Sequence, residues 1–491
     1  MTKRIIINEL ILLKISAKLI AFILLVIIFN IAINKKNKIF ILKQFIKVKG
    51  NIRPDNNNYC DNLDPINLFN LRLENGQIII CQNEKSKHIC YKNSNESNDN
   101  ILYIKNGVIC KMENIVLDPS KSNHTNIIYK GPIDEVNRGC PLLSQGFLNM
   151  KCNNKRDLEN YNDIYKSYFQ SWNYTYDNDN NEKLEELATG KTIFFISWNQ
   201  DSPNLFHGSS ELINAISIIE LFNLNPENIQ IIFLESMTLN NDPFYDLYKH
   251  IVSRGGEPIY IRNLKKKYQI SSAFHIPINW DSGTFITNGF QNCKYSTKTY
   301  KFLNDLVNKY MKIPDFKDSF ISDNEIYYYP QSVIENYKSN ITFNKTVTIQ
   351  WRKVWPKGRK GQFRILANGQ ELTDKLASYL PENILIRLVD TASLSVSEQI
   401  SIMRKTDYLI GIHGAGLSLS IFMPHESILH EILPFICNSL LTLMSTLSGH
   451  KTYSDLIRNK INYANGNQNI FFAPVIFVKS VLNHMIQNNF F

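Results

Sequence analysis

Three stretches of the sequence gather residue types able to hold and activate a phosphorylated ligand. The first is residues 407–434, DYLIGIHGAGLSLSIFMPHESILHEILP, where a buried-strand pattern runs into His413-Gly414-Ala415-Gly416 and a short helix is predicted over 415–422. Glycines let a backbone approach a ligand closely, and a new helix directs unbonded N–H groups and its positive end outward, which suits a phosphate. A tight strand-to-helix turn that needs its glycines only for packing would have the same sequence. Glu431, seventeen residues after Gly414, is expected near the carboxyl end of the next strand. A carboxylate there can accept hydrogen bonds from both hydroxyls of a ribose.

The second stretch is residues 350–371, QWRKVWPKGRKGQFRILANGQE, which follows another buried strand. Arg352, Lys353, Arg359, Lys360 and Arg364 fall within thirteen positions. Guanidinium forks match a diphosphate, and fixed cations can stabilise a departing nucleoside diphosphate without a metal. A solvated basic loop is the alternative. The third stretch opens a helix with Asn204-Leu205-Phe206-His207 and continues to Glu211. His207 and Glu211 are four apart and share a helix face, so either could take a proton from an acceptor hydroxyl. A structural histidine and a helix-start glutamate would look alike. Asp177-Asn178-Asp179 has the form of a D-x-D metal signature but lies in an Asn/Asp-rich stretch with no strand before it, so no metal site is expected there. The HGAG string is also similar to the oxyanion loop of lipases, but no downstream G-x-S-x-G nucleophile exists.

These residues need strands and helices to position them. Residues 192–197 (TIFFIS) and 229–234 (IQIIFL) are continuous apolar runs, the mark of parallel strands buried on both faces. A helix is expected between them at 209–222, ended by Asn225-Pro226. Asp242-Pro243 opens a helix that Gly255-Gly256 closes, and 258–261 forms a third strand. The pattern repeats with strands at 346–351, 384–389, 408–412 and 428–433, and helices at 370–380, 395–405 and 476–487. Two successive βαβ blocks predict an α/β fold of two Rossmann-like, doubly wound domains facing across a cleft.

Composition bounds the partners. The chain has 491 residues and a formal net charge of +10. Residues 1–50 hold ten Lys/Arg and a single acid, Glu9, so nearly all the excess sits there and the body is close to neutral. No global field steers a polyanion, and nucleic acid is excluded as a partner. Residues 19–33 are uncharged and apolar and read as a signal anchor, with a cleaved signal peptide as the alternative. Six of the eight cysteines, Cys60, Cys81, Cys90, Cys110, Cys140 and Cys152, cluster behind this segment and predict disulfides in an oxidising lumen, with the pairing open. Sequons at Asn95, Asn123, Asn173, Asn340 and Asn344 are compatible with that compartment.

The chain resembles glycosyltransferase family 61 over roughly residues 190–450. TDYLIGIHGAGLSLSIFMP is similar to the family's strand–HGAGL–helix signature, HEILP to its V-x-E-L strand, and RKVWPKGRKGQFRILANGQEL to its arginine-rich segment. SVSEQI resembles its helix, and NLFHGSSE its N-x-x-H-x-x-x-D element, with Glu211 where aspartate is usual. The resemblance implies a GT-B-like fold, a nucleotide-sugar donor, inversion at the anomeric carbon and no obligatory metal or other cofactor. It also implies a type II membrane protein of the endoplasmic reticulum or Golgi.

The expected organisation is a cytosolic tail and anchor at 1–34, a stem at 35–59, and a cysteine-rich region at 60–186. An acceptor domain follows at 187–330 and a nucleotide-sugar domain at 331–491. The expected site has Arg352, Arg364 and the Gly414, Ala415 and Gly416 amides on the diphosphate of a UDP-sugar, Glu431 on the ribose and His413 at the border. Glu211 or His207 is the base, and the acceptor is a hydroxyl of a glycoprotein or polysaccharide. A non-catalytic glycan-binding protein on a decayed transferase fold is the rival reading.

Overall fold

In a computed structural model, the chain is described at residues 64–67, 73–74, 77–91, 109–123, 142–152, 171–175, 184–196, 205–234, 245–276, 296–315, 327–351, 364–391, 394–434, 444–446, 448–457, 462–464, 467–470 and 473–491. The expected anchor at 19–33, the stem, Asp177–Asp179 and Arg352 lie outside the described residues. Among those described, no helix is long and apolar enough to cross a membrane.

The cysteine-rich stretch forms strands β1 (Gln77–Gln82), β2 (Lys87–Tyr91) and β3 (Ile109–Leu117). The first apolar run is β4 (Thr192–Ile196), followed by helix α1 (Leu205–Leu221) and strand β5 (Ile229–Phe233). The third strand, β6, is short (Ile259–Tyr260), because a 3-10 turn at Ile261–Asn263 cuts it off. Next comes β7 (Tyr268–Ile276), a nine-residue strand with no counterpart in the apolar pattern. All seven belong to one ten-stranded sheet, in the order β1-β2-β3-β7-β4-β5-β6. Its β7-β4-β5-β6 half is parallel, and its β1-β2-β3 half joins β7 antiparallel, with Tyr268 opposite Leu117 and His275 opposite Cys110. The cysteine-rich stretch therefore shares a hydrogen-bonded sheet with the first βαβ block. Disulfides Cys81–Cys152 and Cys90–Cys110 fasten it, the second between residues directly opposite across β2 and β3.

Helix α2 (Lys298–Tyr310) leads toward the second sheet. Its start is held by the buried Asp64, whose Oδ2 accepts from the Thr299 amide (2.9 Å) and whose Oδ1 accepts from the Thr299 hydroxyl (2.8 Å). The carboxylate satisfies helix-start donors that have no partner within the helix. Then follow β8 (Tyr327–Tyr328), α3 (Gln331–Lys338), β9 (Lys345–Gln350), α4 (Gly369–Ala377), β10 (Ile384–Val389), α5 (Val396–Arg404), β11 (Tyr408–Ile412), β12 (Ile428–Pro434) and β13 (Lys451–Ile457). The six strands are ordered β8-β10-β9-β11-β12-β13, all parallel except the edge strand β8. A capping box starts α5: Ser395 Oγ accepts from the Glu398 amide, and Glu398 accepts from the Ser395 amide. Its carboxyl end is held by Arg387, fully buried in β10, which donates to the carbonyls of Ile402 (3.2 Å) and Lys405 (3.3 Å). A buried cation thus meets the negative end of a helix.

Both sheets lie in one compact unit, Arg53–Pro474. A single apolar cluster includes Leu212, Ile213 and Ile216 of α1, Leu303 and Val307 of α2, and Leu417, Ile421 and Phe422 after β11. Polar bonds support it: Asn304 donates to the Ile421 carbonyl (3.2 Å) and Ser401 to that of Pro314 (2.6 Å). The last helix, α6 (Pro474–Gln487), belongs to a separate unit and buries Phe477, Val481 and Met485 along one face.

The mixed α/β class is as expected from the sequence. In the first sheet, burial pushes His88 and His275 down to about 3, the charge of His275 adding to the effect on His88. Both are neutral when folded, whereas the unfolded chain takes up protons below about pH 6.5. Stability is full above that value and is lost as the pH falls toward 3. Between pH 6.5 and 5 each histidine should remove roughly 2 kcal/mol. The urea midpoint should fall across that window, and an unchanged midpoint would contradict neutral burial.

Candidate functional site

In the second sheet the chain runs from β9 out to β10, then returns past β9 to β11 and β12. The reversal lies between β9 and β11. Open α/β sheets leave a crevice at such a switch point, beyond the carboxyl ends of the strands. Gln350 ends β9, and His413-Gly414 follows β11 directly.

Close packing builds the bend. Gln350 donates through Nε2 to Thr391 Oγ1 (2.8 Å), which fixes its amide across the switch. A Cβ on Gly416 would lie 2.4 Å from that Nε2, and one on Gly411 would lie 2.6 Å from Leu417 Cδ2. Neither contact is possible unless the facing Gln350 or Leu417 side chain shifts, so the tight fit favours glycine at both positions. Gly414 is extended (φ 171°), a conformation open to any residue. The chain then enters a 3-10 helix, Ala415–Phe422, whose first bond runs from the Leu417 amide to the Gly414 carbonyl (3.0 Å). The Ala415 and Gly416 N–H groups precede that bond and have no acceptor within the helix. The glycines therefore serve packing, and the bend they allow also presents amides.

His413 and Glu431 meet here. Glu431 pairs with Gly411 in the middle of β12, further from the strand's carboxyl end than the sequence implies. His413 continues the ladder one step beyond β11, its amide donating to the Ile432 carbonyl (2.9 Å). The side chains then touch, with His413 Nδ1 2.5 Å from Glu431 Oε1. Glu431 is wholly enclosed (0 %), while the imidazole keeps 15 % of its surface exposed. Glu431 Oε2 is buried and has no hydrogen-bond partner among the described residues. A buried carboxylate is tenable only with a hydrogen-bonding or cationic partner, and the imidazole is that partner.

The other expected residues are placed less completely. Arg364 begins a strand, Arg364–Leu366, that pairs with Asn467–Ile470 in a small three-stranded sheet. Its side chain and all of Arg352 lie outside the described residues. His207 is in the first turn of α1, and its side chain is likewise outside them. Glu211 is buried (2 %) on the same helix, with Ser209, Ser210 and Asn214 also buried. Helix α1 shares the apolar cluster with the 3-10 helix. Gln350 and Thr391 escaped the motif reading. The one signal for Gln350 was a polar residue closing an apolar strand.

The model of the family Glycosyltransferase 61 matches residues 268–429. That span includes β9, the switch point, β11 and the 3-10 helix, and the match supports membership of the family. No curated protein matches the chain in sequence.

Substituting Gly416→Ala should cost roughly 1–3 kcal/mol by overpacking against Gln350. Gln350→Ala in the same chain should recover part of that loss, because it removes the obstructing amide. Urea denaturation of the two single variants and the double variant measures the coupling. Strictly additive costs would contradict the steric account.

Proposed function

We propose that this chain, a glycosyltransferase family 61 member by its match over residues 268–429, is an inverting transferase using a UDP-sugar donor. It would move a GlcNAc or a pentose to a hydroxyl of a protein or glycan in the secretory pathway. The observation that carries this reading is the bend at the switch point. Inside the matched span, two amides at a helix start and His413 stand beyond the carboxyl ends of β9 and β11, and the buried Glu431, two residues past the span, backs the histidine.

In this reading the acceptor oxygen attacks the anomeric carbon as the bond from that carbon to the diphosphate breaks. The hydroxyl proton passes to a base, for which Glu211 and His207 are the candidates, and UDP departs. The main electrostatic task is to stabilise the leaving diphosphate. The Ala415 and Gly416 amides, Arg352 and Arg364 would share it, so no metal is required. The two disulfides favour an oxidising compartment. We place the protein as a single-pass type II protein of the Golgi or endoplasmic reticulum membrane, held by residues 19–33, with the catalytic part lumenal.

UDP should raise the melting temperature, by the equivalent of about 2.7 kcal/mol at a hundredfold excess over its Kd. UDP-sugar hydrolysis should persist in EDTA and fall at least about tenfold in Arg364→Ala. A full rate in that variant, or no thermal shift with UDP, would contradict the assignment. The absence of a shift would favour a glycan-binding protein on the same fold.

A further inference from the structure

Glu431 has two possible ways to serve a bound nucleotide. It can accept hydrogen bonds from the ribose hydroxyls directly, or it can act through a neighbour. The geometry points to the second: we infer that Glu431 is a positioning residue that fixes the His413 imidazole against the diphosphate of the donor. This inference rests on the nucleotide-sugar reading above and refines the same site.

Three observations carry it. Glu431 has no exposed surface, and it sits in the middle of β12 between Gly411 of β11 and Ser454 of β13. A ligand beyond the strand ends meets the partly exposed His413 imidazole before it meets this carboxylate. Second, one carboxylate oxygen is already taken by His413 Nδ1 at 2.5 Å. An Nδ1–H that donates to a carboxylate sets both the tautomer and the plane of the ring, as the outer partners of working histidines commonly do. Third, His413 is the exposed member of the pair and directly precedes Gly414 and the Ala415 and Gly416 amides. An anion held by those amides lies at the imidazole edge. A phosphate there can accept a hydrogen bond from the ring nitrogen that Glu431 leaves open to it, while the carboxylate holds the other side of the ring.

The two roles differ in which part of the nucleotide they sense. UDP and 2′-deoxy-UDP, titrated by calorimetry into the full chain, separate them. In Glu431→Gln the affinity for UDP should fall about tenfold, the scale of one charge-assisted hydrogen bond. The ratio of UDP to 2′-deoxy-UDP affinity should stay as in the unaltered protein. His413→Ala should lower UDP affinity by a similar factor, and the double variant should be no weaker than His413→Ala alone. A low-field ring N–H proton resonance should be present in the unaltered protein and absent from His413→Ala.

A ratio that collapses toward one in Glu431→Gln would show direct ribose contact and overturn the inference, as would losses that multiply in the double variant. If Glu431→Gln does not fold, Glu431→Asp is read by the same ratio in its place. Full UDP affinity in His413→Ala overturns the inference. If the unaltered chain binds neither nucleotide, the transferase reading itself fails, an outcome distinct from all of these.

Discussion

The site depends on how closely two backbones approach at the switch point of the second sheet. The Gln350 amide, tied to Thr391, occupies the space where a side chain at position 416 would project, and Leu417 occupies the space at position 411. With glycine at both places, β11 can turn sharply into the 3-10 helix, and the helix start can face the crevice. A methyl group at 416 would meet the Gln350 amide, and either that amide or the bend would have to give. Everything proposed about an anion at this place presupposes that approach, because backbone amides bind only where the backbone can come near.

Packing on the other side of the bend makes it rigid. Leu417, Leu419, Ile421 and Phe422 are buried in the same apolar cluster as α1 and α2. The 3-10 helix thus has one side sealed in hydrocarbon and one end open to the crevice. Arg387 and the Ser395–Glu398 capping box fix α5, which packs against the 3-10 helix. The first sheet does not supply the bend, but through α1 and α2 it supplies the surface against which the bend is pressed.

Much of this was legible in the sequence because burial on both faces leaves a plain trace. The runs TIFFI, IQIIF, ILIRLV and YLIGI are strands within a residue or so of where their apolar content places them. Strand β7 was not legible: Gln269, Ser271, Ser272 and His275 break its pattern, since it joins an antiparallel half to a parallel half. Nor could the sequence choose the cysteine pairing: the β2–β3 register sets Cys90 opposite Cys110, while Cys81 and Cys152 are brought together by the wider fold. At the site, His413, the glycines and Glu431 stood out by type and spacing. That Glu431 meets His413 depends on the Gly411–Glu431 register, a long-range fact with no local signal. The role of Gln350 was hidden for the same reason, since its contacts are with residues 41 to 66 positions away.

The most direct measurement is a crystal structure of the full chain with UDP bound. The account predicts the diphosphate on the Ala415 and Gly416 amides, beside His413 and within reach of the Arg352 and Arg364 guanidinium groups. A nucleotide bound elsewhere, or those arginines turned into solvent away from an empty bend, would contradict it.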